Sequence, residues 1–203
     1  QGSITVNDIL STIGDVNLSA STGSITETDS GAVQEANLLI TESLSGQTLT
    51  GANPVDSFDA INTGSGSINL QNTPSNTEGL LEITGISQNT GDVIINNEGN
   101  LKTTGEINTA ADGSVNLTSA GKQTIATSIT AGGTGEIHLT TTTSPTADSN
   151  LMVNASLTGN AGNINLDSAN DISVNSRVDS GQDINLDSDQ NIFINSTAAA
   201  DNG

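Results

Sequence analysis

Asp167 and Asp187 occupy the same place in two copies of the pentapeptide INLDS, 20 residues apart, and Asp171, Asp179, Asp183 and Asp189 lie close by. If the chain repeats its path every 20 residues, the two carboxylates stack one strand spacing apart, where like charges repel. A bound Ca²⁺ would relieve that repulsion with oxygen ligands it favours, and Asp167, Asp187 and Asp189 are the residues that would hold it. The alternative is a solvated corner that carries its charges unaided. No GGxGxDxUx repeat of the calcium-roll kind is present.

Other chemistry is thinly supplied. The chain has 203 residues and no cysteine, which excludes a thiol nucleophile, a thiolate metal site and a disulfide scaffold. His138 is the only imidazole, and it stands in the slot that carries Asn69, Asn116, Asn165 and Asn185 in related phrases, so it reads as one member of an outward row. Three basic residues (Lys102, Lys122, Arg177) against 23 acidic ones, a net charge of -20, argue against a nucleic acid or an anionic membrane as partner. No apolar run approaches the ~18 residues of a membrane span. With no basic cluster to bind an acidic sugar, an enzyme is not expected, although carboxylates suitable for acid/base chemistry are plentiful.

The elements that position these residues are short and repetitive. The phrases GSITV, GSITE, GSINL, GDVII, GSVNL, GEIHL, GNINL and DINL place aliphatic residues at Ile4, Ile25, Ile68, Val93, Val115, Ile137, Ile164 and Ile184. Their spacings are 21, 43, 25, 22, 22, 27 and 20, and the 43 reads as two turns with a degenerate member near Leu44 and Leu49. A second series of triplets, including NLLI, NLMV, DISV and NIFI, lies between them. Alternation of apolar and polar residues over three to five positions specifies a strand with one inward face, and interruption by Gly, Asn and Asp forbids a helix. Two short strands per turn of about 20 to 22 residues predict an all-β parallel β-helix, a β-solenoid.

That architecture agrees with a chain only 32% hydrophobic, with two aromatic residues, Phe58 and Phe193. Stacked columns of Ile, Leu and Val replace a globular core. Ile164, Leu166, Ile172, Val174, Ile184, Leu186, Ile192 and Ile194 are expected inward, with Asn165 over Asn185 and Asn175 over Asn195 outward, stacked as amide ladders. The coil is expected to run through 1–203 as one unit of about nine turns. Loop insertions are expected near 47–62, 71–79 and 140–150, around Pro54, Pro74 and Pro145. In the second series Leu39, Met152 and Phe193 fall in slots read as outward, where Ser173 is the ordinary occupant; an exposed apolar row of this kind marks lateral contact between rods or lies under a loop.

The Gly-x-Ile/Val-x-Leu phrases GSINL, GSVNL, GEIHL and GNINL resemble the repeats of filamentous-haemagglutinin-like exoproteins of the two-partner secretion type and related bacterial β-helical adhesins. The resemblance covers most of the chain. It implies a right-handed, single-stranded β-helix, a location outside the cell or on the bacterial surface, and a structural or adhesive role. Asn53-Pro54-Val55 departs from the Asn-Pro-Asn-Gly turn that marks the family's secretion domain, so the resemblance implies rod rather than export module. The partners expected are further copies or the rest of a longer chain, end to end, and a carbohydrate or host-cell surface. The rival reading is a carbohydrate-active β-helix that binds or cleaves polysaccharide.

Overall fold

A computed structural model describes residues 2–142, 148–196 and 198–200. Every strand pairing in it is parallel, and no helix forms among the described residues. One side of the coil is a sheet of nine strands running from Ile4–Val6 through Val93–Asn97 to Ile184–Ser188, each hydrogen-bonded to its counterpart one turn away. The aliphatic residues of the lead phrases face inward on this side, Ile164 over Ile184 and Leu166 over Leu186, as the period requires. The degenerate member of the 43-residue gap is the strand Gln47–Asn53: Gln47 stands between Ile25 and Ile68, and Leu49 pairs with Leu70. An amide has replaced the aliphatic residue, which is why the phrase is hard to see.

The expectation of two strands per turn holds for two coils, Gln47–Asn53 with Ser57–Asn62 and Ile68–Asn72 with Leu80–Gln88, and fails elsewhere. The first two coils carry an extra short strand, Ile9–Ser11 paired with Ala32–Gln34, and from Asn100 onward there are again three. A second side is made by Asn100–Thr103, Gln123–Ile125, Leu151–Val153, Ile172–Val174 and Ile192–Ile194. A third is made by Ile107–Thr109, Ile129–Ala131, Leu157–Gly159, Val178–Ser180 and Ala198–Ala200. The third series hides in the sequence because triplets such as INT, ITA and VDS carry one strongly apolar residue rather than two. In earlier coils the second and third sides are continuous, as Asp15–Ala20, Leu38–Ser43, Ser57–Asn62 and Leu80–Gln88. The split begins where the register slips between Ile83 and Gly85. In the next coil Thr104 and Gly105 both donate their N–H to Ile83 O, and a Cβ on Gly105 would overlap the Thr84 carbonyl. Only glycine permits that corner.

Two of the three expected insertions are revised or narrowed. Residues 47–62 form the strands Gln47–Asn53 and Ser57–Asn62, with Phe58 and Val55 fully buried, so Pro54 marks a tight corner and not an excursion. Residues 73–79 do lie between strands. Of the segment 140–150, residues 143–147 fall outside those described.

The interior is one continuous stack of aliphatic side chains from Val16 to Val178. Polar residues close its corners. Asn53, Asn72, Asn97, Ser119, Thr141, Ser168 and Ser188 form one inward column at the end of the nine-stranded side. Their hydroxyl and amide groups bind turn carbonyls, as Asn97 Nδ2 does to Asn100 O (2.6 Å), Ser119 Oγ to Gly121 O (2.9 Å) and Ser168 Oγ to Asp171 O (3.0 Å). A buried carbonyl left unpaired at a corner costs about 1–3 kcal/mol, so a polar side chain there stabilises more than an aliphatic one.

Candidate functional site

The stacked aspartates are where the period puts them: Asp167 pairs with Asp187 in register, with Thr140 on its other side. Burial raises the Asp167 carboxyl above the usual aspartate range, and the facing charges of Asp187 and Asp189 push it the same way. Among the described residues no three acidic or imidazole side chains converge as metal ligands, so Asp167, Asp187 and Asp189 are brought near one another without forming a coordination shell. Their geometry is that of a repulsive pair.

His138 lies in the outward row. It pairs with Asn116 below and Asn165 above; its Nε2 is 2.7 Å from Glu136 Oε2 and its Nδ1 is 3.3 Å from Asn165 Nδ2. The Nδ1 position therefore acts as acceptor and Nε2–H as donor in the neutral ring. Above it Asn185 Nδ2 donates to Asn165 Oδ1 at 2.9 Å. A second ladder runs through Asn154, Asn175 and Asn195, each amide donating to the one below at 2.8 Å. Both amide rows stabilise successive coils against each other.

The apolar row of the second series is only partly formed. Leu39 faces inward, fully buried, in a column with Val16 and Phe58. This corrects the outward placement: in NLLI three consecutive apolar residues leave the phase ambiguous, and the neighbours Val16 and Phe58 decide it. Met152 and Phe193 do point outward, separated by Ser173 in a column that begins at Glu82, Lys102 and Thr124. Phe193 is 48% exposed.

That column leads to the concave feature the sequence did not reveal. Lys102 and Lys122, two of the three basic residues, line one groove, although the turn here is 22 residues and Lys102 pairs with Thr124, not with Lys122. The groove continues under residues 76–78 into a cavity of about 280 Å³ lined by Asp56, Glu78 and Glu82. Leu80 belongs to both parts.

The two ends of the stack have a different chemistry. Ile172 and Val174 are covered, but Ile192 and Ile194, their counterparts one turn on, are 43% and 53% exposed. Ile184 and Leu186 are only half-buried. At the opposite end Ile9 and Leu10 lie on a strand paired on one side only, and they and Ile13 are exposed. The expected inward residues thus face the bore throughout, but in the outermost coils nothing described lies over them. Compared with known proteins, the chain matches no family model, no curated protein and no solved structure. The fold defines a class, the parallel β-solenoids, and the reading of its role rests on the molecule itself.

Proposed function

We propose that this chain is a structural and adhesive rod segment without catalysis, of the filamentous-haemagglutinin-like type, working outside the cell or on a bacterial surface. It is either part of the shaft of a large surface protein or the subunit of a filament. The observation that supports the reading is the unbroken parallel stacking of similar coils around one apolar column, which is the build of a rod. Each coil covers its neighbour with the same inward pattern, as Ile172–Val174 does for Ile192–Ile194 and Val33 for Leu10. Covering each such side chain contributes about 1.5–3 kcal/mol, and another coil supplies that cover together with partners for the open strand edges. Stacking of this kind is heterologous, does not close, and lengthens into a rod.

Electron microscopy of the native material, with light scattering of the purified chain, tests the reading. Rods longer than one copy are expected, and Ile192→Asp with Ile194→Asp should abolish end-to-end association while leaving the coil folded. A chain that stays monomeric at high concentration, with amide protection in its terminal coils equal to that in the middle, would refute it.

A further inference from the structure

We propose that a groove on the outer face of the nine-stranded side, running past Thr26, Thr48, Asn69 and Ile94, binds an uncharged, extended oligosaccharide. The inference rests on the adhesive part of the rod reading, to which it gives a site, and it is independent of how the ends of the coil associate.

Three observations carry it. First, the groove is long and carries no charge. It measures about 460 Å³, within the range of small-molecule sites, and crosses four successive coils. Three coil spacings of ~4.8 Å make it about 14 Å long. Thr26, Thr48, Asn69 and Ile94 pair in register, so it runs straight along the coil axis. None of its lining side chains is ionisable, in a chain of net charge -20. The surrounding negative field disfavours an anionic ligand.

Second, its polar groups are free. Elsewhere the outward amides bind one another from coil to coil, as Asn185 binds Asn165 and Asn195 binds Asn175. In the groove Thr48 and Asn69 are neighbours in register, yet the side chains of Ser45, Thr48 and Asn69 have no hydrogen-bond partner among the described residues. Asn69 thus keeps two N–H donors and a carbonyl acceptor for a ligand, and a sugar hydroxyl, which both donates and accepts, matches either.

Third, an aliphatic side chain interrupts the polar row. Ile94 points away from the bore, between the buried Val93 and Ile95, and stands between Asn69 and Asn116 where the row otherwise carries Thr, Asn or His. It offers an apolar surface to the C–H face of a sugar ring. One such residue among hydroxyls and amides suits a polyol better than a lipid or an apolar helix. The strands beneath are paired on both sides within the sheet, so an extended peptide finds no open edge.

The test is a titration of the full chain, by calorimetry and by amide chemical shifts, with cellotetraose, mannotetraose and xylotetraose as extended neutral sugars, maltotetraose as a coiled one and tetragalacturonate as an anionic one. Saturable binding of at least one extended sugar is expected, ~10-fold or more tighter than maltotetraose and tetragalacturonate, with shifts at Thr48, Asn69 and Ile94. Ile94→Asn continues the amide row from Asn69 to Asn116, so it should weaken binding ~5-fold or more while leaving the melting temperature unchanged or higher. Asn69→Ala should weaken binding as well, and Asn175→Ala, in the other amide ladder, should leave it unchanged. Four results would overturn the proposal: no saturable binding of any extended sugar, maltotetraose or tetragalacturonate binding as tightly, indifference to Ile94→Asn, or shifts at Thr48, Asn69 and Ile94 that follow protein concentration instead of sugar, which would mark the face as a contact between copies. Rods that bind no sugar would remove the site and leave the stacking standing; a chain that binds sugar but never associates would do the reverse.

Discussion

The coils up to Gln88 and those from Val93 onward enclose the same stack of aliphatic residues with different walls. In the later coils each side is a strand of three to five residues and, past Asn97, corners are closed by Ser and Thr, as at Ser119, Thr141, Ser168 and Ser180. In the earlier coils single strands of six to nine residues run past the third corner, and the interior is filled by Phe58 and by the amides Gln47, Asn53, Asn62, Asn72 and Gln88. Small hydroxyls such as Ser168 and Ser180 lie within hydrogen-bond distance of two carbonyls each but carry a single proton to share between them. An amide has two N–H groups and an acceptor: Asn62 Nδ2 binds Ser65 O and Gly66 O while its Oδ1 accepts from Gly46 N and Ser43 Oγ. The corner glycines differ in the same way. Gly46, Gly66 and Gly91 have positive φ, whereas Gly113, Gly135 and Gly162 do not, though a Cβ on any of these last three would overlap the carbonyl one turn away.

The contrast is open to direct attack. Phe58 is the largest fully buried side chain of the molecule's described residues, so Phe58→Ala should cost about 3–5 kcal/mol, seen in denaturant melts. If it costs no more than trimming a Val in a later coil, the earlier interior does not depend on the ring. Next in size, Asn53→Ala removes the acceptor of the buried Val33 N–H (2.7 Å) and a donor to Gly51 O (3.0 Å), and about 1–3 kcal/mol should be lost. Ser168→Ala in a later coil should cost nearer ~1 kcal/mol.

Gln123 is an amide out of place in the later half. It stands between Leu101 and Leu151, and its Oε1 is buried without a partner. Gln123→Leu should therefore stabilise by about 1 kcal/mol, since it removes an unsatisfied acceptor and completes an aliphatic column. A fall in melting temperature would mean that the Nε2 bond to Leu117 O (3.2 Å) matters more than the missing one.

The smallest effects are electrostatic. Glu27 faces Val6 across the first coil, and burial raises its carboxyl above the usual range even though Gly51 N–H and Asn53 Nδ2 bind it. Because the folded state holds this proton more tightly than the unfolded one, the corresponding stability is complete below the ordinary glutamate range and is lost as pH rises through the raised value. Glu27→Gln should flatten the pH dependence of the melting temperature there. The Asp167 carboxyl is raised too, with the same sign, and Asp187→Asn should stabilise at neutral pH by on the order of 0.5 kcal/mol, less in high salt. A chelator that lowers the melting temperature of the parent but not of Asp187→Asn would instead reinstate a bound ion.

Much of this architecture is legible in the order of the residues. The 20-residue period specifies parallel stacking, the inward Ile and Leu positions, and the amide ladders, because identical residues one turn apart must meet in register once strands pair. Sequence alone leaves the phase of NLLI undecided, since three adjacent apolar residues satisfy either face. It also hides the third side of the coil, whose triplets carry a single strongly apolar residue. Lys102 and Lys122 are visible as residues but not as a pair, because their groove exists only where residues 76–78 fold over the face. Periodicity encodes what neighbouring coils share. Corner geometry, strand splitting and the groove arise where coils differ, and there the packing of particular side chains, Phe58 and Gly105 among them, decides the shape.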